Sequence, residues 1–156
     1  MYINNVKFAK NQQQQSGRID LAKLLRVQEI DSYTGELSFE LSGYLDNLNR
    51  PTLKLLLCGT IATLCQNCLQ PMVVAVDRQS KLTVFYTEEQ LDAALFGDND
   101  SGVADGVLAE DEFDILQLVE DEVIMLLPYA AKHESCHGLS YHDEALNPFN
   151  VLKELI

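Results

Sequence analysis

Between Glu36 and Leu45 the chain alternates. Leu37, Phe39, Leu41 and Leu45 keep one parity, and Glu36, Ser38, Glu40 and Ser42 stand between them. Successive side chains of a strand point to opposite faces, so this period of two describes a strand buried on one side and wet on the other. Leu53, Leu55, Leu57 and Ile61 form a second such face, after turn residues from Asp46 to Pro51. Gly59 interrupts that row and marks a bulge or a close approach of another backbone. Met72 to Val76 and Lys81 to Tyr86 read as further strand, either one long bent element or two. The turns between these runs are short, which calls for antiparallel neighbours, because parallel pairing needs long crossovers.

The period then changes. Ile115, Leu118, Val119, Val123 and Leu126 recur at three- and four-residue spacing, so the pattern predicts a helix from Asp114 to Leu127. Asp114 is placed to cap it and Pro128 follows its end. Glu120, Asp121 and Glu122 read as a solvated face of this helix. Shorter helices are expected behind Asp20, on Leu21, Leu24 and Leu25, and from Glu88 to Leu95. Residues 1–16 read as an extended, polar N-terminal segment in which Gln12 to Gln15 are a loose link. Residues 97–112 are rich in Gly, Asp and Asn and read as a mobile acidic loop. The tail from Tyr129 to Ile156 reads as irregular, with a short docking helix at Asn147 to Leu155. The expected fold is a single α+β domain over residues 1–156. Its antiparallel, strongly bent sheet is open or curled into a partial barrel, and one main helix packs on it.

Charge narrows the partners. Twenty-four acidic residues against 11 basic give a net charge of −13. Nucleic acid is gripped by neutralising phosphates with Lys and Arg, and this field opposes that. Arg50, Lys54, Arg78 and Lys81 are the candidate RNA contacts. An acidic surface suits a basic protein partner better. No apolar run approaches the roughly 20 residues of a membrane-spanning helix, and the N-terminus lacks an apolar signal region. A cytoplasmic protein with no membrane partner is expected.

In a reducing compartment clustered cysteines point to metal or redox chemistry rather than to disulfides. Cys65-Gln-Asn-Cys68 places two thiols at a turn before Pro71, and His133-Glu-Ser-Cys136 places an imidazole and a thiol at matching separation. Two such pairs on separate loops can close a tetrahedral Cys3His zinc site, with His137 as the alternative nitrogen ligand. The competing reading is a set of unrelated thiols and a solvated histidine. A thioredoxin-type redox pair fits less well, since that motif opens a helix and here strand follows. Cys58, inside a strand run, reads as an apolar core residue. The sequence has no GxSxG elbow, no phosphate-binding loop and no HExxH, and the histidines have no partnered nucleophile.

The series CQNCLQP at Cys65 to Pro71, ILQLVEDEVIMLLP at Ile115 to Pro128, His133-Glu-Ser-Cys136 and Asn147-Pro148-Phe149 resembles the YceD family over roughly residues 18 to 156. The resemblance implies a non-catalytic factor supporting synthesis, processing or stability of 23S ribosomal RNA. The implied partners are that RNA, a pre-large-subunit particle or a basic large-subunit ribosomal protein, with no small-molecule substrate. Two positions depart from the family pattern: Asn67 stands where a basic residue is usual, and Ala131 where a proline is usual. The alternatives are a zinc-stapled structural adaptor and a CxxC thiol redox enzyme.

Overall fold

The computed structural model describes residues 1–96, 103 and 105–136. Strand β1 (Tyr2–Ile3) leads into helix α1 (Asn5–Lys10), strand β2 (Gln14–Asp20), a 3-10 turn (Leu21–Lys23) and helix α2 (Leu25–Ile30). Strands β3 (Glu36–Leu45), β4 (Pro51–Leu64) and β5 (Pro71–Phe85) follow. Helix α3 (Glu88–Phe96), strands β6 (Gly106–Leu108) and β7 (Phe113–Asp114) and helix α4 (Ile115–Leu126) complete the described chain.

The main sheet has five strands in the order β2-β3-β4-β5-β6, and its two end strands do not pair, so it is open. The first four strands are antiparallel, as the short turns require, while β6 runs parallel to β5. The sheet is therefore mixed rather than purely antiparallel. Strand β6 lies inside the stretch expected as a mobile loop. Gly106 allows its close approach, since a Cβ there would stand 2.6 Å from Leu91 Cδ1. The N-terminal segment is also ordered, because Asn4 caps α1 by accepting from Lys7 N at 2.7 Å and the glutamine run enters β2. Among the described residues there are four α-helices in place of one main helix, and α1, α2 and α4 contribute side chains to the core. His137 and the segment Asn147 to Leu155 lie outside the described residues.

The alternation of β3 and β4 is realised: Leu37, Phe39 and Leu41 face Leu53, Leu55 and Leu57 on one side. Ile115, Leu118, Val119 and Val123 of α4 close the core together with Phe8, Ala9 and Val27. Each of these side chains other than Ala9 contributes about 1.5–3 kcal/mol when fully buried. Pairing of β4 with β3 and β5 is uninterrupted, so Gly59 is no bulge. It is the close approach: its φ is 153°, and a Cβ there would stand 2.4 Å from Glu36 O. The β4–β5 hairpin is long, with 14 and 15 residues in its strands, and Val73 and Leu64 near its tip are exposed. That projecting tip carries the cysteine pair.

Candidate metal centre

The tip is a knuckle. Beyond the last pair of the hairpin, Leu64 opposite Pro71, Cys65 N donates to Gln70 O at 2.9 Å and Leu69 N donates back to Cys65 O at 2.8 Å. Leu69 closes this turn in the left-handed region, with φ 57°. The chain after α4 returns to the same place. Gln66 N donates to Ala131 O at 2.8 Å, and Asn67 Nδ2 donates to Cys136 O at 3.3 Å. Asn67 thus holds the returning chain.

These contacts bring together residues 65 and 136, which are 71 positions apart in sequence. Cys65 Sγ and Cys136 Sγ stand 3.6 Å apart, and Cys68 Sγ lies 3.5 Å from His133 Nδ1. All four ligand atoms lie within 4.8 Å of one another. Around a tetrahedral zinc, sulfurs at about 2.3 Å and a nitrogen at about 2.0 Å place S···S near 3.8 Å and S···N near 3.5 Å. The Cys65–Cys136 and Cys68–His133 separations match that geometry, so the cluster fits a metal ion. Cys65 is buried, and Cys68, His133 and Cys136 are half-buried.

Burial opposes ionisation of Cys65, yet backbone N–H groups of Cys68, His133 and Asn67 point at its sulfur and hold the thiol down to about 6. Cys136 is pushed up to about 11, by its hydrogen bond with Cys68, by burial and by Cys65 beside it. The Cys65 sulfur is thus prepared as a thiolate, while Cys136 beside it holds its proton more tightly than a free thiol. A depressed thiol also suits a nucleophile, but reactive cysteines are partly exposed, and Cys65 is 0% exposed.

The remaining sequence-derived candidates are dispersed. Arg50 is engaged at the β3–β4 turn, its Nε 2.7 Å from Asp46 Oδ2. Arg78 lies on the core side of the sheet with Nε 3.9 Å from Glu122 Oε2. Lys54 and Lys81 are cross-strand neighbours on the outer face, so only these two of the four meet. Cys58 is not in the core: it is exposed on that outer face, with Sγ 3.8 Å from Asp77 Oδ1.

The three acids of α4 are not a solvated face. Glu120 Oε1 accepts from Arg26 N at 2.7 Å and Val27 N at 3.4 Å, so it satisfies the first turn of α2, where Leu24 offers no side-chain cap. Asp121 pairs with Arg26. Glu122 is buried and accepts a hydrogen bond from Ser80 Oγ. Its position, seven residues after Ile115, lies within the apolar stripe, and that spacing was the available signal.

Among the described residues no helix is long and apolar enough to cross a membrane. No curated protein and no solved structure matches the chain. A family model does match, over residues 53–155, and that span takes in the hairpin from its third residue, α4 and all four cluster residues. The chain belongs to the family described as large ribosomal RNA subunit accumulation protein YceD.

Proposed function

We propose that this protein supports accumulation of 23S ribosomal RNA during large-subunit biogenesis, in the cytoplasm, by binding and without catalysis. The family match over residues 53–155 is the observation that carries this reading. The partner it favours is a basic large-subunit ribosomal protein, free or within a pre-large-subunit particle. A net charge of −13 attracts such a protein and repels bare phosphate. Two of the four candidate phosphate contacts, Arg50 and Arg78, are already paired with carboxylates. Where RNA is touched directly, Lys54 and Lys81 are the side chains placed for it.

Purified protein, titrated against basic ribosomal proteins and against rRNA fragments at matched salt, distinguishes the two routes. Binding to the basic proteins that weakens steeply with added salt is expected. Tight binding to rRNA with none to the basic proteins would overturn the protein-partner route.

Zn2+ held by Cys65, Cys68, His133 Nδ1 and Cys136 is the structural cofactor in this reading. The ion would fasten the chain after α4 to the hairpin tip and would draw binding energy into folding. Protein purified without chelator should carry about one equivalent of zinc, and Cys68→Ser should lose it together with thermal stability. Metal-free protein of unchanged stability would sink the zinc reading.

A further inference from the structure

Strand β2 is one edge of the five-stranded sheet. Gly43 N donates to Gln13 O at 2.9 Å and Leu21 N donates to Gly35 O at 3.0 Å, so the odd-numbered residues bond across to β3. In an antiparallel pair the alternate residues turn their N–H and C=O groups the other way. Gln14, Ser16 and Arg18 therefore line the open edge, and among the described residues no backbone group pairs with them there. Exposed edges are usually blunted by a proline or a bulge. This one has neither: its register runs unbroken from Gln14 to Asp20.

A hollow flanks the edge on each face. On the outer face a hollow of about 380 Å³ is lined by Ser16, Ser38, Glu40, Leu56 and Cys58, with Ser16 directly opposite Glu40. Arg18 beside it is already paired with Glu36 at 3.5 Å. On the core side a groove of about 550 Å³ has Ile19, Leu24, Leu25 and Leu116 as its apolar part, with Lys23, Arg26, Asp114 and Glu120 among the charged groups around them. Leu25 is 74% exposed and Leu116 39% exposed, so aliphatic surface stands open there.

A strand added to β2 would send alternate side chains to these two faces. Those crossing the small Ser16 come within reach of the Glu40 carboxylate and call for Lys or Arg. Those turned inward meet leucines and call for aliphatic groups. Pairing with a second copy would bring together two chains of charge −13, which disfavours self-association and favours a cationic strand. We propose that β2 is a docking edge for an extended segment of a basic protein with alternating cationic and aliphatic side chains, which joins the sheet as an added strand. This deepens, and rests on, the reading of the partner as a basic protein.

The probe is a synthetic eight-residue peptide of alternating lysine and valine, titrated into the full chain at about 0.15 M salt, where screening is physiological. Amide exchange of Gln14, Ser16 and Arg18 should slow selectively on binding. Ser16→Pro removes an outward donor but no bond to β3, and should weaken binding at least tenfold, while Ser16→Ala leaves it unchanged. Glu40→Gln should weaken it several-fold, and this variant with the exchange pattern decides the matter if the proline variant does not fold. Equal binding by wild type and Ser16→Pro would overturn the proposal by showing attraction through charge alone. A wild-type dimer abolished by Ser16→Pro would overturn it in favour of a second copy. Wild-type chain that binds basic ribosomal proteins, with Ser16→Pro binding them equally, would reject the edge while leaving the functional reading intact.

Discussion

Glu122 sits in the apolar stripe of α4 and is 4% exposed, with Ser80 and Arg78 as its partners across the sheet. Removing one side of a buried charged contact leaves the other groups without compensation, which costs about 3–5 kcal/mol when both are fully buried. Arg78 is partly open to water, so Glu122→Ala should cost about 2–3 kcal/mol in urea denaturation, the range for an unmet buried polar group. Glu122→Gln keeps an acceptor for Ser80 and should cost less than half as much. Equal losses for the two variants would mean that shape, rather than the hydrogen bond, matters at this position. The stripe of Ile115, Leu118, Val119 and Val123 was readable from spacing alone, but the burial of Glu122 was not. Its role depends on Ser80 and Arg78, which are about 42 and 44 positions away and reach it only through the packing of α4 on β5. Cys58 shows the reverse case: its parity with Leu56 and Thr60 placed it on the outer face once the register was known.

At the scale of elements, the seat of α1 on the sheet depends on one missing side chain. A Cβ at Gly43 would stand 2.6 Å from Ala9 Cα and 2.6 Å from Phe8 O, so helix and strand meet backbone to backbone. Those atoms cannot swing aside as a flexible side chain could. Gly43→Val should therefore lower the unfolding free energy by about 3 kcal/mol, at the upper end for overpacking. A loss below about 0.5 kcal/mol would mean that α1 is not held against β3. The long strands and α4 were legible because each carries a sustained period with turn or cap residues at its ends. Helix α1 was not, because six residues give too little pattern to set against the polar run that follows. The parallel pairing of β6 was hidden for a related reason: three residues in a Gly- and Asp-rich stretch carry no local signal, and their place is fixed by β5. The cysteine cluster lay between these extremes. Matched CxxC and HxxC spacing picked out the four residues that the fold gathers, and the contacts of Gln66 with Ala131 and of Asn67 with Cys136 that bring them together belong to the folded chain.

At the scale of the whole molecule, three features bear on the proposed binding role. The family match covers nearly all of the hairpin, α4 and the cluster. In the proposed reading the net charge of −13 favours basic partners over bare nucleic acid, and any such association should fall with salt. The open edge at β2 supplies backbone groups by which such a partner can be held in register. The consequence belongs to the ribosome: losing the factor should lower the amount of large-subunit RNA without a matching change in the small subunit. The decisive measurement is the ratio of 23S to small-subunit rRNA in cells depleted of this protein, with and without the wild-type chain restored. A selective fall in 23S rRNA that the wild-type chain rescues is the expected result, and an unchanged ratio on depletion would contradict the account.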